Sequence, residues 1–177
     1  MDKAYADTVR LLLQVAPDVF ANDIFAMKGG TAINLFVRSM PRLSVDIDVV
    51  FTPRDTPRDL ALASIAEELD TIAIRLAKLG LKTRKVGNKN LGDTKLLIEN
   101  AESQVKVEVN TVFRGTVLPP ERRALTHKTA EMFSAELELP VLAVAELYGS
   151  KLVAAMDRQH PRDLFDVWQL FEPKNLN

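Results

Sequence analysis

The stretch Lys28-Gly29-Gly30-Thr31, followed after a helix-length interval by Arg42-Leu43-Ser44-Val45-Asp46-Ile47-Asp48, decides how this chain is read. In an extended strand, residues two apart project to one face, so Asp46 and Asp48 point together while Ile47 and Val49 turn into a core. Two carboxylates held side by side repel, and a shared proton or a divalent cation with oxygen ligands, such as Mg²⁺, relieves them. Gly29 and Gly30 let the backbone approach a ligand closely, and a helix opening at Thr31 presents free N–H groups to an anion. A phosphate cradle beside paired carboxylates points to nucleotide chemistry. Each half alone has an ordinary reading, Asp-x-Asp as a solvated strand face and Gly-Gly as a turn. A calcium loop of EF-hand type is disfavoured, because Ile47, Val49 and Val50 interleave the acids and no glycine follows at the turn position. A Walker loop fails too, since Lys28 precedes the glycines.

The rest of the composition is that of an ordinary globular protein. Its 177 residues, 47% hydrophobic and 27% charged, fit a single domain over residues 1–177 with a substantial core. With no cysteine, disulfides and thiolate metal sites are excluded, and a reducing cytoplasm is compatible. His127 and His160 lie far apart, a poor basis for zinc, and each reads as a surface or capping residue. Val9 to Ala16 is interrupted by Arg10 and Gln14, which suits an amphipathic helix and not a signal peptide, and no run reaches membrane-spanning length.

Periodicity predicts helices over Ala4–Val15, Thr31–Arg38 and Pro57–Leu79, the last closed by Gly80. Strands are expected at Ile24–Met27, Asp46–Phe51, Leu81–Val86, Thr94–Glu99 and Val105–Val112, the last three joined by hairpin-like connections. From about residue 140 the chain returns to helix, with Pro161 suited to the first position of a final short one. The architecture expected is mixed α/β (α+β), a sheet carrying the acids with helices on one side and C-terminal helices after it.

Gly-Gly-Thr, a helix, then Arg-x-Ser-x-Asp-Ile-Asp resembles the AbiEii/AbiGii toxin family of nucleotidyltransferases, a branch of the DNA polymerase β-like superfamily that includes the MenT toxins. The resemblance extends through Glu146-Leu147-Tyr148-Gly149-Ser150-Lys151-Leu152, Asp157-Arg158 and Pro161-Arg162-Asp163-Leu164-Phe165-Asp166, similar to the family's helical lysine ahead of an Arg-Asp-x-x-Asp segment. It spans roughly Met27 to Asp166. Two departures stand out. The interval from Thr31 to Asp46 is slightly longer than usual in the superfamily, and many relatives continue into a further helical region, so a short member or a truncated form is expected.

This resemblance implies a polymerase-β-like core in which Mg²⁺ (or Mn²⁺) is held by Asp46, Asp48 and a third acid from a neighbouring strand. Glu108 is the best candidate. In Val105-Lys106-Val107-Glu108-Val109-Asn110 the valines share one face and the polar residues the other, although Glu108 is also readable as a strand residue paired with Lys106 or a cross-strand charge. One cation then activates the acceptor hydroxyl and the other neutralises the triphosphate. By the same resemblance Lys151 contacts the triphosphate, its stem lying along Val144, Leu147 and Ala154, and Asp163 orients it. Nucleotide contacts are expected from Lys28, Gly29, Gly30, Thr31, Arg42, Ser44 and Lys151. Arg162 and Asp166 have the spacing of an i,i+4 pair.

The net charge of −1 argues against a uniformly basic surface, but basic residues cluster at Lys82, Arg84, Lys85, Lys89 and Lys95, and again at Arg114, Arg122, Arg123 and Lys128. Such clusters can follow an RNA backbone or form a solvated face. The expected RNA-binding residues are Lys82, Arg84, Lys85 and Lys89. The resemblance implies a cytoplasmic nucleotidyltransferase, the toxin of a type IV (AbiE-like) toxin–antitoxin pair that arrests growth or aborts phage infection. It would transfer NMP from an NTP to RNA such as a tRNA 3′ end, and would have a cognate antitoxin. The alternatives are transfer to a protein or small molecule, and a catalytically silent nucleotide-binding module.

Overall fold

The computed structural model describes residues 2–88, 92–112 and 115–172. The first element, α1 (Lys3–Val19), buries Val9, Leu12, Val15, Ala16 and Val19, and runs past the expected end through Pro17. Strand β1 (Phe25–Lys28) leads directly into α2 (Gly29–Ala32), which widens into a π-helical turn over Ile33–Val37. The predicted helix from Thr31 to Arg38 is therefore not a regular α-helix. Arg38 N–H donates to the Ile33 carbonyl at 2.7 Å, and Met40 beyond it takes a positive φ of 54°, so the chain turns sharply toward β2 (Ile47–Phe51).

Next come α3 (Arg58–Lys78), β3 (Lys82–Asn88), β4 (Gly92–Glu99) and β5 (Gln104–Asn110). The expectation for these elements holds closely, because α3 shows a buried Ile65, Leu69, Ile72, Leu76 stripe and β5 strict alternation. Two strands and a helix were not anticipated: β6 (Glu121–Ala124), α4 (His127–Phe133) and β7 (Glu138–Val141). The return to helix thus begins later than residue 140, with α5 (Val144–Arg158) and then α6 (Pro161–Leu170). Pro161 opens α6 as expected, and His160 caps it, its Nδ1 accepting from Arg162 N–H at 3.2 Å.

The strands form one mixed sheet in the order β3-β4-β5-β2-β1-β7-β6. Antiparallel pairing joins β1 to β2, β3 to β4, β4 to β5 and β6 to β7, while β2/β5 and β1/β7 run parallel. Apolar side chains from Ile47, Val49, Leu96, Ile98, Val105 and Val107 are almost fully buried in the core. Helices are not confined to one side: α1 and α3 pack on β5, β4 and β3, whereas α5 borders a cleft on the face that carries the acids. Among the described residues no helix is long and apolar enough to cross a membrane.

Candidate active site

Four adjacent strands place four charges in one row. Lys28 of β1 lies opposite Asp48 of β2, Asp48 opposite Glu108 of β5, and Glu108 opposite Lys95 of β4. Residues in register share a face, so the row follows from strand order alone. It borders a cleft of about 370 Å³ lined on the strand side by Lys28, Asp48 and Glu108, at one end by Gly29 and Gly30, and on the helix side by Lys151 and Arg158. The third acid expected from sequence thus stands beside Asp48.

The electrostatics of the row are uneven. Burial, with Asp46 and Glu108 beside it, pushes the Asp48 carboxyl above its ordinary range. Burial also pushes the Lys28 ammonium down, partly offset by Asp48. For Glu108, burial alone would raise the carboxyl, but hydrogen bonds from Lys106 and Lys95 outweigh it and hold it below the ordinary value. Lys95 Nζ lies 2.9 Å from Glu108 Oε1 and Lys106 Nζ 2.8 Å from Oε2. Glu108 is thus ion-paired with Lys106 and with Lys95 across the strands, and lies beside the acid pair.

The glycines owe their identity to close approach. Gly29 has φ +76°, and a Cβ there would collide with the Asp48 carboxylate. A Cβ on Gly30 would collide with the Arg42 guanidinium and come within 2.9 Å of Ser44 Oγ. Buried Thr31 donates its hydroxyl to the Asp46 carbonyl at 2.5 Å and stands 3.0 Å from Ser44 Oγ, so both hydroxyls hold the loop from which the acids emerge. Asn34 ties the same region together, donating to the Gly30 carbonyl and accepting from Arg42 N–H.

Across the cleft a buried ion cluster fixes the helices. Arg42 grips Asp166 with two parallel bonds, Nε to Oδ1 at 2.6 Å and Nη2 to Oδ2 at 2.5 Å. Lys151 Nζ lies 2.8 Å from both Asp163 Oδ1 and Asp166 Oδ2, and Arg158 closes the cluster on Asp163 at 2.9 Å. Burial would raise Asp163, yet Lys151 and Arg158 hold its carboxyl below the ordinary range. Asp163 thus touches Lys151, as expected. Asp166, with no exposed side-chain surface, turns inward to Arg42 and Lys151 and not to Arg162; the i,i+4 pairing expected from spacing is corrected on this point. Its partner lies 124 positions away, which no local spacing reveals.

Lys82, Arg84 and Lys85 fall on β3 and Arg122 and Arg123 on β6, the two edges of the sheet, where charged side chains discourage edge-to-edge pairing, while Lys95 lies on β4 and Lys128 on α4. Lys82 and Arg84 alternate onto the acid-bearing face, but Lys85 points the other way and pairs with Asp70 of α3 at 2.7 Å. The expected RNA-binding set is therefore split across the sheet, and Lys89 lies outside the described residues. In the second cluster, Arg122 pairs with Glu138 and Arg123 with Glu121, while Arg114 lies outside the described residues.

These features define a nucleotidyltransferase fold. The structure matches that of MenT4, a nucleotidyltransferase toxin from Mycobacterium tuberculosis H37Rv, with a TM-score of 0.58 and 24% identity over 93% of this chain. This chain spans 59% of the length of that one. No curated protein matches the sequence. Residues 10–177 match the nucleotidyl transferase AbiEii toxin family of type IV toxin–antitoxin systems, and the chain belongs to that family.

Proposed function

We propose that the chain transfers NMP from an NTP to an acceptor hydroxyl, with Mg²⁺ or Mn²⁺ held by Asp46, Asp48 and Glu108, and that the acceptor is RNA such as a tRNA 3′ end. The observation that carries this reading is the row Lys28–Asp48–Glu108 lining the same cleft as Gly29, Gly30 and Lys151. The donor set suits a hard divalent cation in its chemistry, since all its groups are carboxylates; the Asp48 carboxyl is pushed up first by burial and then by Asp46 and Glu108, and a cation would relieve the second part. When bound, the metal would neutralise phosphate charge and acidify the acceptor hydroxyl.

The chain's own groups would then act as follows. Backbone N–H groups at Gly29 and Gly30, with Lys28 and Lys151, would orient the triphosphate along the cleft. Glu108, held ionised by Lys106 and Lys95, would help to position the acceptor hydroxyl, whose proton would leave to solvent water. The acceptor oxygen bonds to the α-phosphorus as the α–β anhydride bond breaks, and pyrophosphate leaves. Family membership supports a growth-arresting toxin that acts in the cytoplasm and is restrained by a cognate antitoxin. The test is incubation with each labelled NTP and total cellular RNA, with and without Mg²⁺. Metal-dependent label in a tRNA band is expected, and label confined to protein or small molecules would move the acceptor elsewhere.

A further inference from the structure

We propose that Lys106 is a built-in counter-cation of the carboxylate site, an ammonium seated between Asp46 and Glu108 that a divalent cation must displace in order to bind. This rests on the reading of Asp46, Asp48 and Glu108 as metal ligands. Lys106 Nζ lies 2.8 Å from Glu108 Oε2 and 3.9 Å from Asp46 Oδ1, and so bridges two of the three acids. The position is set by the sheet: Ile47 pairs with Val107, which brings the residues just before each of them, Asp46 and Lys106, side by side. Because Lys95 takes the other oxygen of Glu108, both carboxylate oxygens are engaged by ammonium groups. Among the described residues no three acidic or imidazole side chains stand close enough as placed to hold a metal, so the acids would have to close on the cation as the ammonium leaves.

Electrostatics explains why such a cation belongs there. Three acids on adjacent strands, one of them largely buried, repel, and an ammonium on the same sheet face offsets part of that repulsion until a metal arrives. The side chain is 33% exposed on a flexible four-carbon stem, so the ammonium can swing into solvent without disturbing the sheet. A site built this way binds metal more weakly than its carboxylates alone would. It favours loading together with the triphosphate, whose negative charge receives the displaced ammonium.

The test is Mn²⁺ binding to the folded protein without nucleotide, followed by calorimetry and by loss of the free-Mn²⁺ paramagnetic resonance signal. Lys106→Met is expected to bind Mn²⁺ about fivefold more tightly than wild type, the order of a partly exposed ion pair. Lys106→Arg, which keeps the charge, should bind as wild type does. Lys95→Met removes the same charge from Glu108 without touching Asp46, and should gain distinctly less. Lys106→Gln replaces the methionine variant should that one fail to fold by circular dichroism. Equal or weaker Mn²⁺ affinity without Lys106, or an equal gain from Lys95→Met, overturns the proposal. Asp48→Asn in both backgrounds separates the two levels. Binding that depends on Asp48 but ignores Lys106 overturns the counter-cation alone, whereas binding that is absent or indifferent to Asp48 overturns the metal site and the counter-cation with it.

Discussion

On the strand wall of the cleft, Asp48 faces Asp46 and Glu108 and its carboxyl is pushed up; on the helix wall, Asp163 and Asp166 face Lys151, Arg42 and Arg158, and the carboxyl of Asp163 is held down. Both walls carry acids, but the side chains of Asp46 and Glu108 are 51% and 33% exposed and those of Asp163 and Asp166 only 8% and 0%. What differs too is how the cations are shared among the acids. The helix wall is closed on itself, each carboxylate gripped by two basic groups. On the strand wall Lys95 and Lys106 both hold Glu108, and Lys28 and Lys106 only partly offset the burial and the neighbouring acids that raise Asp48.

Asp48→Asn breaks the comparison most sharply. It removes a hard anionic ligand at constant shape, and transfer should fall on the order of a thousandfold. The ligand-free protein should nevertheless melt at a higher temperature. The sign follows from linkage: a carboxyl whose folded pKa is raised opposes folding once pH passes the ordinary value of 3.8, and asparagine carries no such cost. Labelled-NTP transfer and thermal denaturation at neutral pH measure the two effects, and a lower melting temperature would place Asp48 among the structural acids.

On the helix wall the opposite is expected. Asp166→Ala leaves Arg42 and Lys151 short of a carboxylate in a buried setting and should cost about 3 kcal/mol, lowering the melting temperature by about 6–12 °C. Because the Asp163 carboxyl is held down, its contribution is present above 3.8 and is lost as pH falls below that value through the depressed folded pKa. Acid denaturation should therefore be shallower in Asp163→Asn than in wild type over that window. The same geometry decides what a lysine-to-methionine change at 151 does. With Asp163 and Asp166 both resting on its ammonium, Lys151→Met should lose stability as well as transfer.

Legibility in the sequence followed the range of the interaction. The acid pair and the Glu108 face were readable because strand alternation is a two-residue rule, satisfied at Asp46/Asp48 and through Val105–Asn110. The π-turn at Ile33–Val37 was not, since its apolar run suits an α-helix equally well. Strand β7 contains Pro140, which argues against a strand, and β6 reads Glu-Arg-Arg-Ala with no apolar alternation; both form because β1 offers an edge for β7 to pair with. Of the cleft, Lys28, Gly29, Gly30, Asp48, Glu108 and Lys151 were singled out from sequence, as were the contacts Glu108–Lys106 and Asp163–Lys151, but the long-range partners were not. Arg42 and Ser44 sit in the right motif, yet that they grip Asp166 and neighbour Thr31 is a tertiary fact.

The smallest expected effect concerns the sheet edge. Lys82→Glu with Arg84→Glu, on the acid-bearing face, should weaken RNA binding a few-fold and flatten its salt dependence by about one to two units of logarithmic slope. Lys85→Glu, engaged with Asp70 on the other face, should leave both unchanged. Filter binding across a salt series distinguishes them, and equal behaviour of the two variants would leave the edge charges with only their role against edge pairing.

The grip of Arg42 on Asp166 also orders events in time. Ribosomes deliver the glycine loop and both strand acids early, roughly 5–20 residues each second, whereas the carboxylate that anchors Arg42 emerges only with α6. A nascent chain holding all of β1, β2 and β5 still lacks the clasp that sets Arg42 beside Gly30 and steadies Lys151. For a member of a toxin family, competence is then expected to come late in synthesis, and fragments that stop before α6 are expected to be inactive.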